Sequence, residues 1–171
     1  MFSYFKNKKA NKRRSECIED VKTFIQVHFV RERAGERYKY NTLTLKTDPE
    51  REACDEWYEQ HDNPSRFGDI VKLYMSDKSI GIDSITSQYK LAGTILSDDD
   101  IAKGDAVAIC LGLRLNFAET KRLLKSAGHA LTNSYEADLI VRYCIENQIY
   151  DFEDVEFYLS SLYETCLKDL I

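Results

Sequence analysis

The side chains able to do chemistry in this chain are few and far apart. His28, His61 and His129 are widely separated, and none has a cysteine or carboxylate at a ligand-like helical spacing that repeats elsewhere. The five cysteines, Cys17, Cys54, Cys110, Cys144 and Cys166, are odd in number and contain no C-x-x-C pair. That usage fits reduced, buried thiols better than a disulfide framework or a zinc site. Asp98, Asp99 and Asp100 are the densest carboxylates, but consecutive residues point in different directions, and a calcium loop needs alternating ligands with a distant Glu. A phosphate-binding loop, a G-x-S-x-G elbow and an H-E-x-x-H helix are all missing. The expectation is a protein that binds rather than catalyses, with no metal and no cofactor.

Charge says more. The 171 residues carry a net charge of −5, which argues against broad affinity for nucleic acid, since phosphate binding needs clustered Lys and Arg. The charge is unevenly spread. Lys6, Lys8, Lys9, Lys12, Arg13 and Arg14 stand among the first residues without an acid between them, whereas the region after Tyr135 is rich in Asp and Glu. Residues 1–15 therefore read as a basic flexible arm, either a contact for nucleic acid or an anionic surface, or a solvated terminus. No apolar run approaches the roughly 18 residues of a membrane span, and the start has no apolar stretch of signal-peptide length. No membrane partner is expected, and the expected location is the cytoplasm.

The elements that must position these residues are helical. From Ser15, a plausible N-cap, Ile18, Val21, Phe24, Ile25 and Phe29 recur at helical spacings, with His28 beside that face in a packing role. This apolar face docks on the domain or forms a dimer contact. Residues 37–46 read as a short strand or an extended loop. Asp48-Pro49 starts a helix to about Gln60, which touches the core through Trp57 and Tyr58. Residues 16–64 thus form an N-terminal helical region, followed by a helical domain over 65–131 and a helical cap over 132–171.

Within 65–131, Phe67, Ile70, Val71, Tyr74 and Met75 mark a first helix ended by Ser79 to Gly81, and Ile82, Ile85 and Tyr89 mark a second. Leu91-Ala92-Gly93 supplies a turn, and a third helix holds Ile95 and Leu96 inward. Residues 82–100 have the proportions of a helix-turn-helix. A fourth helix, 106–115, is apolar nearly all round and therefore central. Asn116 and Glu119 have the spacing of a capping box for a fifth, 117–127, and Gly128 stands where a left-handed residue belongs. The cap holds helices over 135–147, introduced by Thr132-Asn133-Ser134, and over about 152–170, with Val155, Tyr158, Leu159, Leu162, Cys166 and Leu170 on its inner face.

Helix lengths and apolar positions between Phe67 and Gly128 resemble the five-helix lambda-repressor or Xre-like helix-turn-helix domain. More narrowly, Asp105 through Asp151 resembles a bacterial family of small Xre-like proteins, at Leu115-Asn116, Glu119-Thr120, Leu123-Leu124, Ala127-Gly128, Ala130-Leu131, Asp138-Leu139-Ile140 and Ile145 to Asp151. The resemblance implies an all-α fold: a five-helix domain with an N-terminal helical arm and a C-terminal helical extension. It also implies a DNA-reading third helix. Relatives of that kind carry Lys or Arg there, whereas this chain has Thr94, Ile95, Leu96, Ser97, Asp98, Asp99 and Asp100, with no cation until Lys103. Three carboxylates repel a phosphate backbone, and Ser87, Gln88, Lys90, Thr94 and Lys103 are few to set against them. The three aspartates also read simply as a solvated helix end.

Two functional readings follow. In the favoured one this face binds a protein partner, itself as a dimer among the candidates, in a non-enzymatic regulatory or adaptor role. In the alternative, a dimeric transcriptional regulator reads DNA with the helix-turn-helix and lays its basic arm along the backbone.

Overall fold

In a computed structural model, the described residues are 2–29, 66–91 and 101–170, with side chains from 13 onward, and positions 49, 53, 56 and 57. Among them every element is helical and none is a strand. The order is α1 (Phe2–His28), α2 (Phe67–Lys78), α3 (Ile82–Tyr89), α4 (Lys103–Gly112), α5 (Phe117–Ser126), α6 (Glu136–Glu146) and α7 (Phe152–Tyr163), then a 3-10 turn (Leu167–Asp169).

Helix α4 is the axis of the molecule. Lys103, Gly104 and every residue from Ala106 to Leu111 are buried, as expected of a helix apolar on all sides. Around it pack α3, α5 and the 3-10 turn, while α2 lies on α5 and α6 on both α5 and α7. One contiguous core joins Ile70, Val71 and Tyr74 of α2 to Ile85 and Tyr89 of α3, Leu123 and Leu124 of α5, and Val155 and Leu159 of α7.

Local chemistry explains most helix ends. Ser79 terminates α2 in the left-handed conformation (φ 53°), with its N–H and that of Ile80 closing on α2 carbonyls. Asn116 Oδ1 accepts from Glu119 N at 2.9 Å while Glu119 Oε2 accepts from Asn116 N at 2.8 Å, a complete capping box. Gly128 follows α5 with φ 77°. Asp151 caps α7 through bonds from Glu153 N and Asp154 N.

Three boundaries differ from the sequence reading. The backbone of α1 is helical from Phe2 and passes through Ser15 without a break, so Ser15 caps nothing and residues 2–14 belong to α1. A basic run without Pro or Gly has no local reason to leave a helix that follows it. Thr132-Asn133-Ser134 does not cap α6, whose N-cap is Tyr135 with no side-chain bond; Asp138 instead reaches back to accept from Thr132 N at 2.8 Å. Helix α7 ends at Tyr163 rather than near Leu170, because Glu164 turns left-handed (φ 51°) and the chain folds back to bury Leu167 and Leu170. The strand or loop reading of 37–46, the third helix of the helix-turn-helix and Tyr58 lie outside the described residues.

Candidate functional site

The residues assigned from sequence to a binding face divide into three groups. The first is α3. Ile85 and Tyr89 point into the core, so Asp83, Ser84, Ser87 and Gln88 face solvent, as the helical period requires. Tyr89 reaches through to donate its hydroxyl to the Tyr150 carbonyl at 2.6 Å, and Gln88 Nε2 approaches the same oxygen at 3.4 Å. Burial pushes the Tyr89 hydroxyl well above its ordinary range. These bonds fasten α3 to the turn between α6 and α7, so its polar face is rigidly held.

Lys90 ends α3 in the left-handed conformation (φ 56°), exposed, with Nζ 5.6 Å from the centre of the Phe152 ring. It borders a cleft of about 180 Å³ shared with Glu156, Cys166 and Lys168. Ligand pockets usually hold about 300–1,000 Å³, so this cleft is too small for a drug-sized molecule.

The second group is Thr94, Ser97, Asp98, Asp99 and Asp100, all outside the described residues. Their C-terminal anchor is firmly placed. His129 Nε2 donates to the Ile101 carbonyl at 2.7 Å. Gly104 meets the 3-10 turn so closely that a methyl carbon built there would come within 1.9 Å of the Leu167 carbonyl oxygen.

Between those two contacts stands Lys103, and here the sequence reading is corrected. Lys103 is not on the α3 face; it is 7 % exposed, with Nζ 2.9 Å from each oxygen of Asp138, which is fully buried. Asp138 also accepts from Thr132 N and from Thr132 Oγ1 at 3.2 Å, and the ammonium lies 5.6 Å from the centre of the Tyr135 ring. Two opposite charges out of water hold together when their geometry is close; Thr132 satisfies Asp138 Oδ2, and Oδ1 has the ammonium beside it. The pair is closed to solvent, and what it does is fasten α4 to α6. Sequence singled out Asp138 only within Asp-Leu-Ile; a lone acid in an apolar stripe was the available signal.

The third group is the basic run. Lys6, Lys8, Lys9 and Lys12 lie on the helical backbone of α1, and Arg13 is exposed. Arg14 is spent: its Nε donates to Asp154 Oδ1, its Nη2 lies 3.3 Å from Glu153, and its guanidinium sits over the Phe157 ring. Arg142, not anticipated at all, lies between the rings of Phe24 and Phe117, 5.5 and 4.7 Å from their centres, and pairs with Glu146 at 2.7 Å. Among the described residues no group of His, Cys, Asp and Glu is placed to hold a metal ion, and no helix is long and apolar enough to cross a membrane.

Among the described residues these features define an all-helical arrangement with a fastened polar face on α3. No family model, curated protein or solved structure matches the chain.

Proposed function

We propose that the protein is a non-enzymatic regulatory or adaptor protein that acts by binding another protein, on a scaffold of the Xre-like helix-turn-helix kind. The observation that carries this reading is the burial of Lys103 against Asp138. It removes the cation nearest the Asp98–Asp100 run from any surface, and Arg14 is likewise committed to Asp154 and Glu153. The face left on α3 offers Asp83, Ser84, Ser87 and Gln88, with Lys90 at its end. Such a surface suits a polar or basic protein partner better than a polyphosphate, whose binding is dominated by cation contacts.

A second reading, a dimeric DNA-binding regulator, draws on the helical backbone that carries the sequence Lys6 to Arg13. Fluorescence anisotropy with random duplex DNA separates the two. The adaptor reading expects weak affinity that changes little between about 50 and 200 mM salt; a fall of about a thousandfold over that range, abolished by deleting residues 2–13, establishes the DNA reading instead.

A further inference from the structure

Helix α1 lies at the edge of the core, on α6 and α7. Of its described side chains only Val21 is fully buried; Cys17, Ile18, Phe24 and Ile25 are partly covered. Helix α6 beneath it buries Ala137, Leu139, Ile140, Val141 and Cys144 completely. Elements that bury few side chains completely open at lower cost than the core.

The ties are concentrated near the two ends of the docked stretch. At one, Arg14 bonds to Asp154 and Glu153, in the first turn of α7. At the other, Phe24 meets Tyr143 of α6 edge-on at 5.5 Å and lies against Arg142. Between them the Cys17 side chain bonds with the Tyr158 hydroxyl. Going from Arg14 to Cys17 on α1 matches going from Asp154 to Tyr158 on α7, so the two helices run in the same direction.

We infer that α1 is a strap that leaves the α2–α7 body as a unit while the body stays folded. Its departure uncovers an acid-ended tyrosine groove whose partner is a basic amphipathic helix. The groove has Glu153 and Asp154 at one end and Tyr143 and Tyr158 along its floor, with Cys144 behind them in the core. Helix α1 displays the chemistry that fits: a cation first, then apolar residues three, four, seven, ten and eleven positions later, at Cys17, Ile18, Val21, Phe24 and Ile25. This deepens the protein-binding reading by naming a second surface and the kind of partner it takes. It stands on residues separate from the α3 face.

Two thiols report the opening. Cys144 follows Tyr143 in α6 and neighbours Tyr158, while Cys110 lies in α4; both are 0 % exposed, and burial pushes both far toward the protonated form, so neither reacts until uncovered. Alkylation of the full chain by iodoacetamide, resolved by peptide mass spectrometry, should label Cys144 at least tenfold faster than Cys110. The variants R14A and V21A should widen that ratio severalfold, and amides of residues 17–28 should exchange with deuterium at the rate set by Cys144 opening. Equal labelling of the two cysteines in the wild type and both variants would mean that α1 leaves only on global unfolding, and the strap is wrong. A synthetic peptide of residues 13–29 added to V21A should slow Cys144 labelling, with a midpoint about tenfold higher for the R14D peptide. A peptide without effect overturns the groove as a docking site, and the α3 reading stands in either case.

Discussion

Lys103 carries a positive charge where water scarcely reaches, and its value to the fold depends entirely on Asp138. Removing either partner strands the other: K103A and D138A should each cost about 3–5 kcal/mol in urea denaturation. The double variant K103M/D138L should fall well short of the sum, because a buried pair replaced by apolar groups loses its desolvation penalty along with its attraction. Thr132 sets the remaining cost, since it donates twice to Asp138. The sequence marked Lys103 as an exposed cation because its neighbours Asp98–Asp100 are charged, and the acid that claims it is 35 residues away. Tyr89 shows the opposite case: helical spacing alone placed it inward, and the structure adds only the Tyr150 carbonyl that its hydroxyl meets.

At the scale of elements, Gly104 is a test of how tightly the 3-10 turn is seated. On helix propensity alone G104A would stabilise α4 by about 1 kcal/mol. Contact with the Leu167 carbonyl at 1.9 Å reverses the sign, because that neighbour is backbone and must move. Thermal melting should show G104A lowered by several degrees, with faster hydrogen exchange at residues 167–170. Element ends were legible where the signal is local: the Asn116–Glu119 box, Ser79 after α2 and Gly128 after α5. They were not legible where a distant surface decides. The apolar period of α7 runs on through Cys166 and Leu170, yet the chain breaks at Glu164 because α4 offers Leu167 a seat at Gly104. The onset of α1 was missed for another reason: charge composition reads as solvation, but six cations in a run break no helix by themselves.

Across the whole molecule, α2 to α7 share one connected core that Val21 of α1 also joins at its edge, and the α2–α7 body should unfold in a single step. Trp57, the one tryptophan of the chain, stacks on Tyr74 of α2 at 4.2 Å with 8° between the planes. Its fluorescence therefore reports on the body. The urea transition followed by Trp57 should coincide with that followed by far-UV circular dichroism of V21A, once the α1 contribution is subtracted. A displaced fluorescence transition would show that residues around Trp57 detach on their own. The all-helical class and the central place of α4 were both visible in the sequence, because an apolar surface on every side of a helix leaves it nowhere but the middle. Which charges stay on the surface was not visible, since that depends on which of them the fold consumes.

That same uniformity of α4 leaves a question of orientation. A cylinder coated evenly with Ala, Val, Ile and Leu gains nearly the same from burial at any rotation about its own axis, so hydrophobicity sets its position and leaves its angle degenerate. Lys103 and Gly104 are two marks at the start of that cylinder. One must meet Asp138 and the other must meet the Leu167 carbonyl, and only one rotation satisfies both. The ion pair thus works less as a source of stability than as an index pin, fixing the angle from which the chain on either side of α4 departs.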